Sequence, residues 1–192
     1  MPRTSEAEKQ KNHAKILEAA SRLFRENGVD ATGVGDVMNA VGMTHGGFYR
    51  HFESKEALVE AAFEHAVEDV IDHLDVADTN SALAQQRQAY IEKYLSSQHV
   101  SDRGHGCPLA TLGAELARTD GTIHTSAAEA VSRLATFLDD SEDDANTKGH
   151  SLLALLAGTV LLARLAETEA DSEKMLESSR AAMALLQKNW RG

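Results

Sequence analysis

Cysteine is almost missing from this chain: Cys107 is its one copy. An internal disulfide is excluded, and a reducing, cytoplasmic setting is the expectation. Proline is nearly as scarce, with 2 residues, while Ala, Leu, Glu and Ser are plentiful. That balance favours an all-α protein. Long apolar runs are lacking too. The most apolar stretch, "LLALLAGTVLLA" over residues 152–163, holds twelve residues, against about 20 for a bilayer span. It reads as a buried helix, so no membrane role is expected. The opening "MPRTSEAEKQ" has no apolar core, so no secretory signal is expected. Catalytic patterns are missing as well. The nine histidines are scattered and form no H-E-x-x-H. His45 and His51 lack the i, i+4 spacing that would put two metal ligands on one helix face. "GVGDV" at 33–37 has no third glycine and no strand before it, so it is no dinucleotide loop. The expectation is a protein that is not an enzyme and needs neither cofactor nor metal.

Charge is distributed unevenly. The net charge is −11, yet residues 1–56 carry eight Lys/Arg and eight Asp/Glu. All the excess acid therefore lies behind the first third. A neutral head dotted with Arg and His, joined to an acidic body, can present the head alone to a polyanion. Acidic faces that merely keep a protein soluble would give the same totals, so motifs must decide.

From Ala14, positions Ile16, Ala20, Leu23 and Phe24 follow the i, i+4, i+7, i+8 pattern of one helix face, with Leu17 widening it. Lys9, Lys11, Lys15, Arg22 and Arg25 sit off that stripe. Asn27-Gly28 supplies a C-terminal stop. Val34, Val37, Met38 and Val41 share the face of a second, short helix, with Thr32 as a plausible cap and Gly42 as its end. A third helix follows at once, from about Thr44 to Phe52. Two short helices joined by a tight glycine turn outline a helix-turn-helix. Val37, Val41, Phe48 and Phe52 are then expected to bury against Leu23 and Phe24.

The third helix begins oddly, with Gly46 and Gly47 ahead of "FYRHF". Glycine gives up about 1 kcal/mol of helix propensity per residue. The loss makes sense where backbone must approach a duplex closely, because the N-terminal residues of a recognition helix enter the major groove. Thr44 and His45 are the first side chains to reach that groove. Tyr49, Arg50 and His51 can donate to phosphate oxygens, and Arg or His can also reach guanine N7 or O6. Lys55 lies in the first turn of the next helix, which suits a terminus that faces a phosphate. Thr32 and Gly33, at the start of the second helix, complete the predicted DNA-facing set.

The run "ATGVGDVMNAVGMTHGGFYRHFESKEALVEAAF", residues 31–63, resembles the DNA-binding domain of the tetracycline-repressor (TetR) family. The matching signature is a small residue and Gly before an aromatic, then Tyr49, Phe52 and Ser54-Lys55-x-x-Leu58. "ILEAASRLFRENGVDATGV" fits the family's first helix and the turn after it. His45 stands where many members carry Lys or another small or basic residue, and Gly47 offers no side chain for readout. The resemblance implies a homodimer that places two helix-turn-helix heads in successive major grooves of a near-palindromic double-stranded DNA operator. Half-sites would then be about 34–36 Å apart, or a multiple of that. It also implies a four-helix dimer bundle built from the last two helices, and a repressor released by an effector. The division implied is 1–56 for the DNA-binding domain and 57–192 for the helical effector and dimerisation domain. A helical protein–protein adaptor without DNA binding is the alternative, but it leaves the glycine pair, Tyr49, Arg50 and Lys55 without a reason.

The body reads as further helices. The connector runs from about Lys55 to Leu74, followed by segments at 81–99, 108–118, 122–139, 150–166 and 172–189. The acidic stretch 139–149 reads as a solvated loop. Met175, Ala182, Met183, Leu186 and Trp190 form one stripe, and the segment 150–166 is apolar nearly all round, which requires cover on every side. In "DRGHGCPLATL", Pro108 suits a first helical position, which puts Cys107 at the N-cap. His105 or Arg103 beside it, and the helix terminus itself, would favour the thiolate. Some TetR-like repressors that respond to electrophiles carry a single cysteine in a similar Cys-x-Leu setting. A small-molecule effector is the other trigger, with Tyr90, Tyr94, Leu112, His124 and Phe137 as candidate cavity residues.

Overall fold

The computed structural model describes residues 6–71, 74, 79–141 and 147–190. Among the described residues there is helix and no strand. The first helix, α1 (Glu6–Asn27), buries Ile16, Ala20 and Phe24 on one face. It stops at Gly28, whose φ of +88° is costly for any residue with a Cβ. The second helix, α2 (Val34–Ala40), buries Val37 and Met38 and ends before Gly42, at φ +70°. Met43 N–H then reaches back to the Met38 carbonyl at 2.8 Å.

Two details depart from expectation here. Residues His45–Arg50 wind as a 3-10 helix, tighter than the predicted α-helix over 44–52. Two adjacent glycines leave that stretch with weak α propensity, and a single short turn is where 3-10 winding is tolerated. The cap of α2 is Gly33 instead of Thr32. The Gly33 N–H is satisfied by the Asp36 carboxylate at 2.8 Å. Thr32 is buried and gives its hydroxyl to the Gly28 carbonyl at 2.8 Å, locking the turn between the two helices.

The connector α3 (Lys55–Ile71) carries Leu58, Val59, Ala62, Phe63, Ala66 and Val67 into the core. Its predicted continuation to Leu74 crosses residues 72–73, which lie outside the described residues; Leu74 itself is buried. The predicted segment 81–99 is two helices, α4 (Asn80–Tyr94) and α5 (Ser97–Ser101). Ser96 divides them. Its hydroxyl donates to the Lys93 carbonyl and accepts from His99 N–H, so it closes one helix and caps the next.

α6 (Pro108–Leu116) starts as anticipated, with Cys107 at the N-cap and Pro108 following. α7 (Thr122–Leu138) and α8 (Thr147–Ala163) are in close contact at Gly149. A Cβ built on Gly149 would lie 1.9 Å from the Ala135 carbonyl oxygen, so only glycine fits. α9 (Glu169–Asn189) completes the chain and packs on α8, with Leu176 and Met183 buried between them. Of the predicted stripe on α9, Met183 is buried, while Met175 is 38% exposed.

The ends of the acidic stretch are not solvated. Asp139 is 7% exposed, and its carboxylate accepts from Gly149 N–H at 2.9 Å and Ser141 N–H at 2.8 Å. Lys148 is equally buried, paired with Asp140 and bonded to the Gln187 carbonyl at 3.2 Å. The middle of the stretch, 142–146, lies outside the described residues.

Candidate nucleic-acid interface and effector cavity

The outer face of the head is built on an aromatic anchor. Phe48 and Phe52 are buried, with rings stacked 5.8 Å apart, and Val37, Met38 and Phe24 lie in the same core. Fixing Phe48 inward turns its neighbours outward. Thr44, His45, Gly46 and Arg50 are exposed, and Tyr49 is 67% exposed. His45 and Tyr49 meet edge to face with centroids 6.2 Å apart, so they form one surface unit. An exposed tyrosine of this size on a rigid turn presents a hydroxyl donor at its outer edge.

The two glycines differ in their surroundings. A Cβ on Gly46 would meet no atom within 4 Å, and φ there is not positive. Nothing inside the chain therefore requires glycine at 46. A Cβ on Gly47 would touch Met38 Cε at 3.6 Å, an ordinary contact.

The remaining predicted positions are less exposed. Thr32 is internal, as described, and Gly33 is half-buried at the helix start. Lys55 donates its ammonium to the Val29 carbonyl at 2.7 Å, bracing the turn after α1. His51 is half-buried, 5.9 Å from the His13 ring. Burial first, then nearby His13, Lys9 and Arg50, hold its pKa below the ordinary histidine value.

Sequence reasoning missed the contribution of α1 to this face. Lys9 and Asn12 line a cleft of about 560 Å³ together with Met43, Thr44, Gly47, Arg50 and His51. The signal was available in part, because Lys9 and His13 are one turn apart on a helix. Attention to the apolar stripe alone passes over them.

The body contains a cavity of about 430 Å³, within the range of small-molecule sites. It brings Tyr90, Tyr94 and Cys107 together with Arg25, His99, His105, Lys93 and Asp69. Leu112 is in the core of α6, outside the lining. Phe137 stands behind the wall, its ring edge-on to Tyr90 at 5.6 Å. His124 is exposed in the first turn of α7.

Cys107 is 3% exposed. Its N–H donates to His99 Nε2 at 3.0 Å, and His99 Nδ1 lies 2.8 Å from the Tyr94 carbonyl. The two bonds together require the neutral imidazole with its proton on Nδ1. Burial, the largest influence, also holds the His99 pKa below the ordinary value. His105 turns instead to Asp102, 2.9 Å away. Burial pushes the phenols of Tyr90 and Tyr94 well above their usual pKa, so both are neutral hydroxyls.

Arg25 sits off the apolar stripe of α1, yet it is 7% exposed. It donates to the Ser21 carbonyl and hydroxyl, both at 3.0 Å, and to the Gly106 carbonyl at 2.9 Å. The last bond ties α1 to the residue preceding Cys107. Periodicity along one helix carries no trace of a partner 81 positions away.

Residues 16–62 match the family described as bacterial regulatory proteins of the tetR family. The head of the chain, α1 through the first half of α3, is thus similar to the DNA-binding part of that family. The chain is 38% identical over 74 residues to the HTH-type transcriptional regulator TtgR of Pseudomonas putida, covering 38% of this chain and 35% of TtgR. The matched stretch thus spans about a third of the length of such curated relatives. A longer match, 28% identical over 158 residues, is to the HTH-type regulator YxaF of Bacillus subtilis, covering 77% of this chain and 82% of YxaF. The fold is also that of reduced NemR from E. coli, at a TM-score of 0.73 and 20% identity, covering 90% of this chain and 95% of that one. Among the described residues, no helix is long and apolar enough to cross a membrane.

Proposed function

We propose that this chain is a dimeric DNA-binding repressor of the TetR type, released from a near-palindromic operator by a small molecule in the body cavity or by modification of Cys107. The observation that carries the DNA-binding reading is the outward set Thr44, His45, Gly46, Tyr49 and Arg50, held rigidly by buried Phe48 and Phe52. Its donors suit phosphate oxygens and purine edges. Lys55 keeps two N–H donors beyond its bond to Val29, enough for a phosphate. On this reading residues 1–56 form the DNA-binding domain and 57–192 the effector and dimerisation domain, with α3 as the rigid link.

Dimerisation is supported by apolar side chains that the single chain leaves uncovered. Leu161, Leu162 and Leu165, at the end of α8 and just beyond it, are 49%, 56% and 72% exposed, and Leu185 on α9 is 62% exposed. Positions 154, 158, 161 and 165 recur at helical spacing, with Gly158 leaving open space among them. A second copy of α8 and α9 would cover this face, as expected of a four-helix bundle.

The effector reading is supported by a cavity that holds the one thiol next to two buried phenols and that is tethered to α1 through Arg25. Any reagent must reach the thiol through that cavity, because Cys107 is buried. The deciding experiment is a mobility-shift assay on DNA upstream of the protein's own gene, with and without N-ethylmaleimide. Expected are a retarded dimer complex and its release by the reagent, with release lost in Cys107→Ser. Equal release in Cys107→Ser would leave the small-molecule route alone; absence of any complex at low salt would overturn the whole reading.

A further inference from the structure

We propose that the N-terminal half of α1 forms the second wall of an anion cleft that takes one backbone phosphate of double-stranded DNA, with Lys9 and Asn12 facing Thr44 and Arg50. This rests on the DNA-binding reading and extends the interface beyond the helix-turn-helix. The cleft lining contains donors and no carboxylate. The lining is therefore locally positive in a chain that carries 30 Asp/Glu against 19 Lys/Arg. Among the described residues, neither Lys9 nor Arg50 is in an ion pair. By contrast Arg22, further along the same helix, pairs with Glu26 at 2.8 Å.

The chemistry of the wall matches one ligand type. Lys9 offers an ammonium, Arg50 a guanidinium, Asn12 an amide N–H₂ and Thr44 a hydroxyl, all able to donate. A phosphate presents only acceptor oxygens and a negative charge. Gly47 adds no side chain to the lining. The imidazole of His51 also lies in the wall, where burial first, then His13, Lys9 and Arg50, disfavours its charged form. Because Thr44 and Arg50 also border the exposed turn, a phosphate in the cleft would sit at the rim of the groove that the turn enters. It would fix the register of the head without reading sequence.

The test is fluorescence anisotropy with a fluorescein-labelled random-sequence duplex of about two helical turns, titrated across roughly 50–200 mM salt. Wild type, Lys9→Ala and Lys174→Ala are compared; Lys174 lies on α9, paired with Asp171 and away from the head. Each neutralised phosphate contributes about 0.9 to the slope of log affinity against log salt. Lys9→Ala should lose about that much slope per head, with an unchanged melting temperature, while Lys174→Ala matches wild type. A wild-type slope for Lys9→Ala, with wild type binding the duplex, overturns the cleft and leaves the recognition turn standing. Failure of wild type to bind at any salt overturns both.

Discussion

Replacing Gly46 by alanine separates a demand made by the fold from a demand made by a partner. The added Cβ meets no atom of the chain within 4 Å, and the backbone there is not left-handed. Alanine should therefore fold at least as well as glycine, gaining at most about 1 kcal/mol of helix propensity. For a chain of this size that is a rise of about 2–4 °C in melting temperature at most. Against a duplex the same methyl group is an intrusion. Overpacking at a close contact costs about 1–3 kcal/mol, which is roughly a 5- to 140-fold weaker Kd. Thermal melting and anisotropy on one preparation provide both readings. Gly42→Ala is the contrasting control: at φ +70° the side chain strains the backbone, so its melting temperature should fall by the equivalent of about 1 kcal/mol or more. Wild-type DNA affinity in a well-folded Gly46→Ala protein would refute the reasoning that this turn is bare because a duplex comes close.

Gly149→Ala should be among the most destabilising single changes in the body, because its Cβ would lie 1.9 Å from the Ala135 carbonyl oxygen and 2.7 Å from its carbon; a loss of about 3 kcal/mol or more is expected by thermal or denaturant unfolding, and a change under half that would mean α7 and α8 separate freely. Acid should weaken the fold through His99 and His51, whose folded-state pKa values lie below the ordinary 6.5. The unfolded chain takes up those protons first, so stability is fully present above pH 6.5 and declines as pH falls toward the folded values; a melting temperature that climbs over this window would contradict the sign. Arg25→Met leaves the Gly106 carbonyl without its donor and should cost about 1–3 kcal/mol in denaturant unfolding, whereas an unchanged midpoint would show the tether to be idle.

What could be read from the sequence was whatever rests on near neighbours. The stripe Ile16, Ala20, Phe24 and the glycine stops at 28 and 42 are settled within one or two turns of helix, and they appear where the periodicity puts them. The same holds for Cys107 and Pro108 at the start of α6. The winding of residues 45–50 was less legible, because glycine pairs weaken the α preference without naming its replacement. The break at Ser96 was hidden because serine is tolerated inside helices and announces itself only through the bonds it makes. Least legible were the charges. Arg25, Asp139 and Lys148 look like surface groups by type, and each is buried by partners on other elements or across a loop. Of the candidate cavity residues, Tyr90, Tyr94 and Cys107 converge, while His124 and Leu112 do not line the cavity. Helical period places a residue on a face, but which faces meet depends on how the helices cross.

Those hidden charges also explain how two parts of one chain can act as a unit. The turn after α1 is gripped from both sides at a single residue. Val29 N–H donates to the Glu115 carboxylate on α6 at 3.0 Å, and its carbonyl accepts from Lys55 on α3 at 2.7 Å. One turn earlier Arg25 holds the Gly106 carbonyl. The cavity wall at Gly106 and Cys107, the start of α6 and the end of α1 are therefore joined by charge-assisted bonds, which are about twice as strong as neutral ones. Moving the Cys107 segment without moving α1 would break a buried bond to an arginine, whereas moving both together keeps that bond. Because α1 carries Phe24 against Val37 and Phe48, a displaced α1 carries the exposed turn with it. On the proposed effector reading, a shift of a few tenths of an ångström at the thiol would reach the head as rigid-body motion of packed helices, the form in which close-packed proteins transmit small shifts.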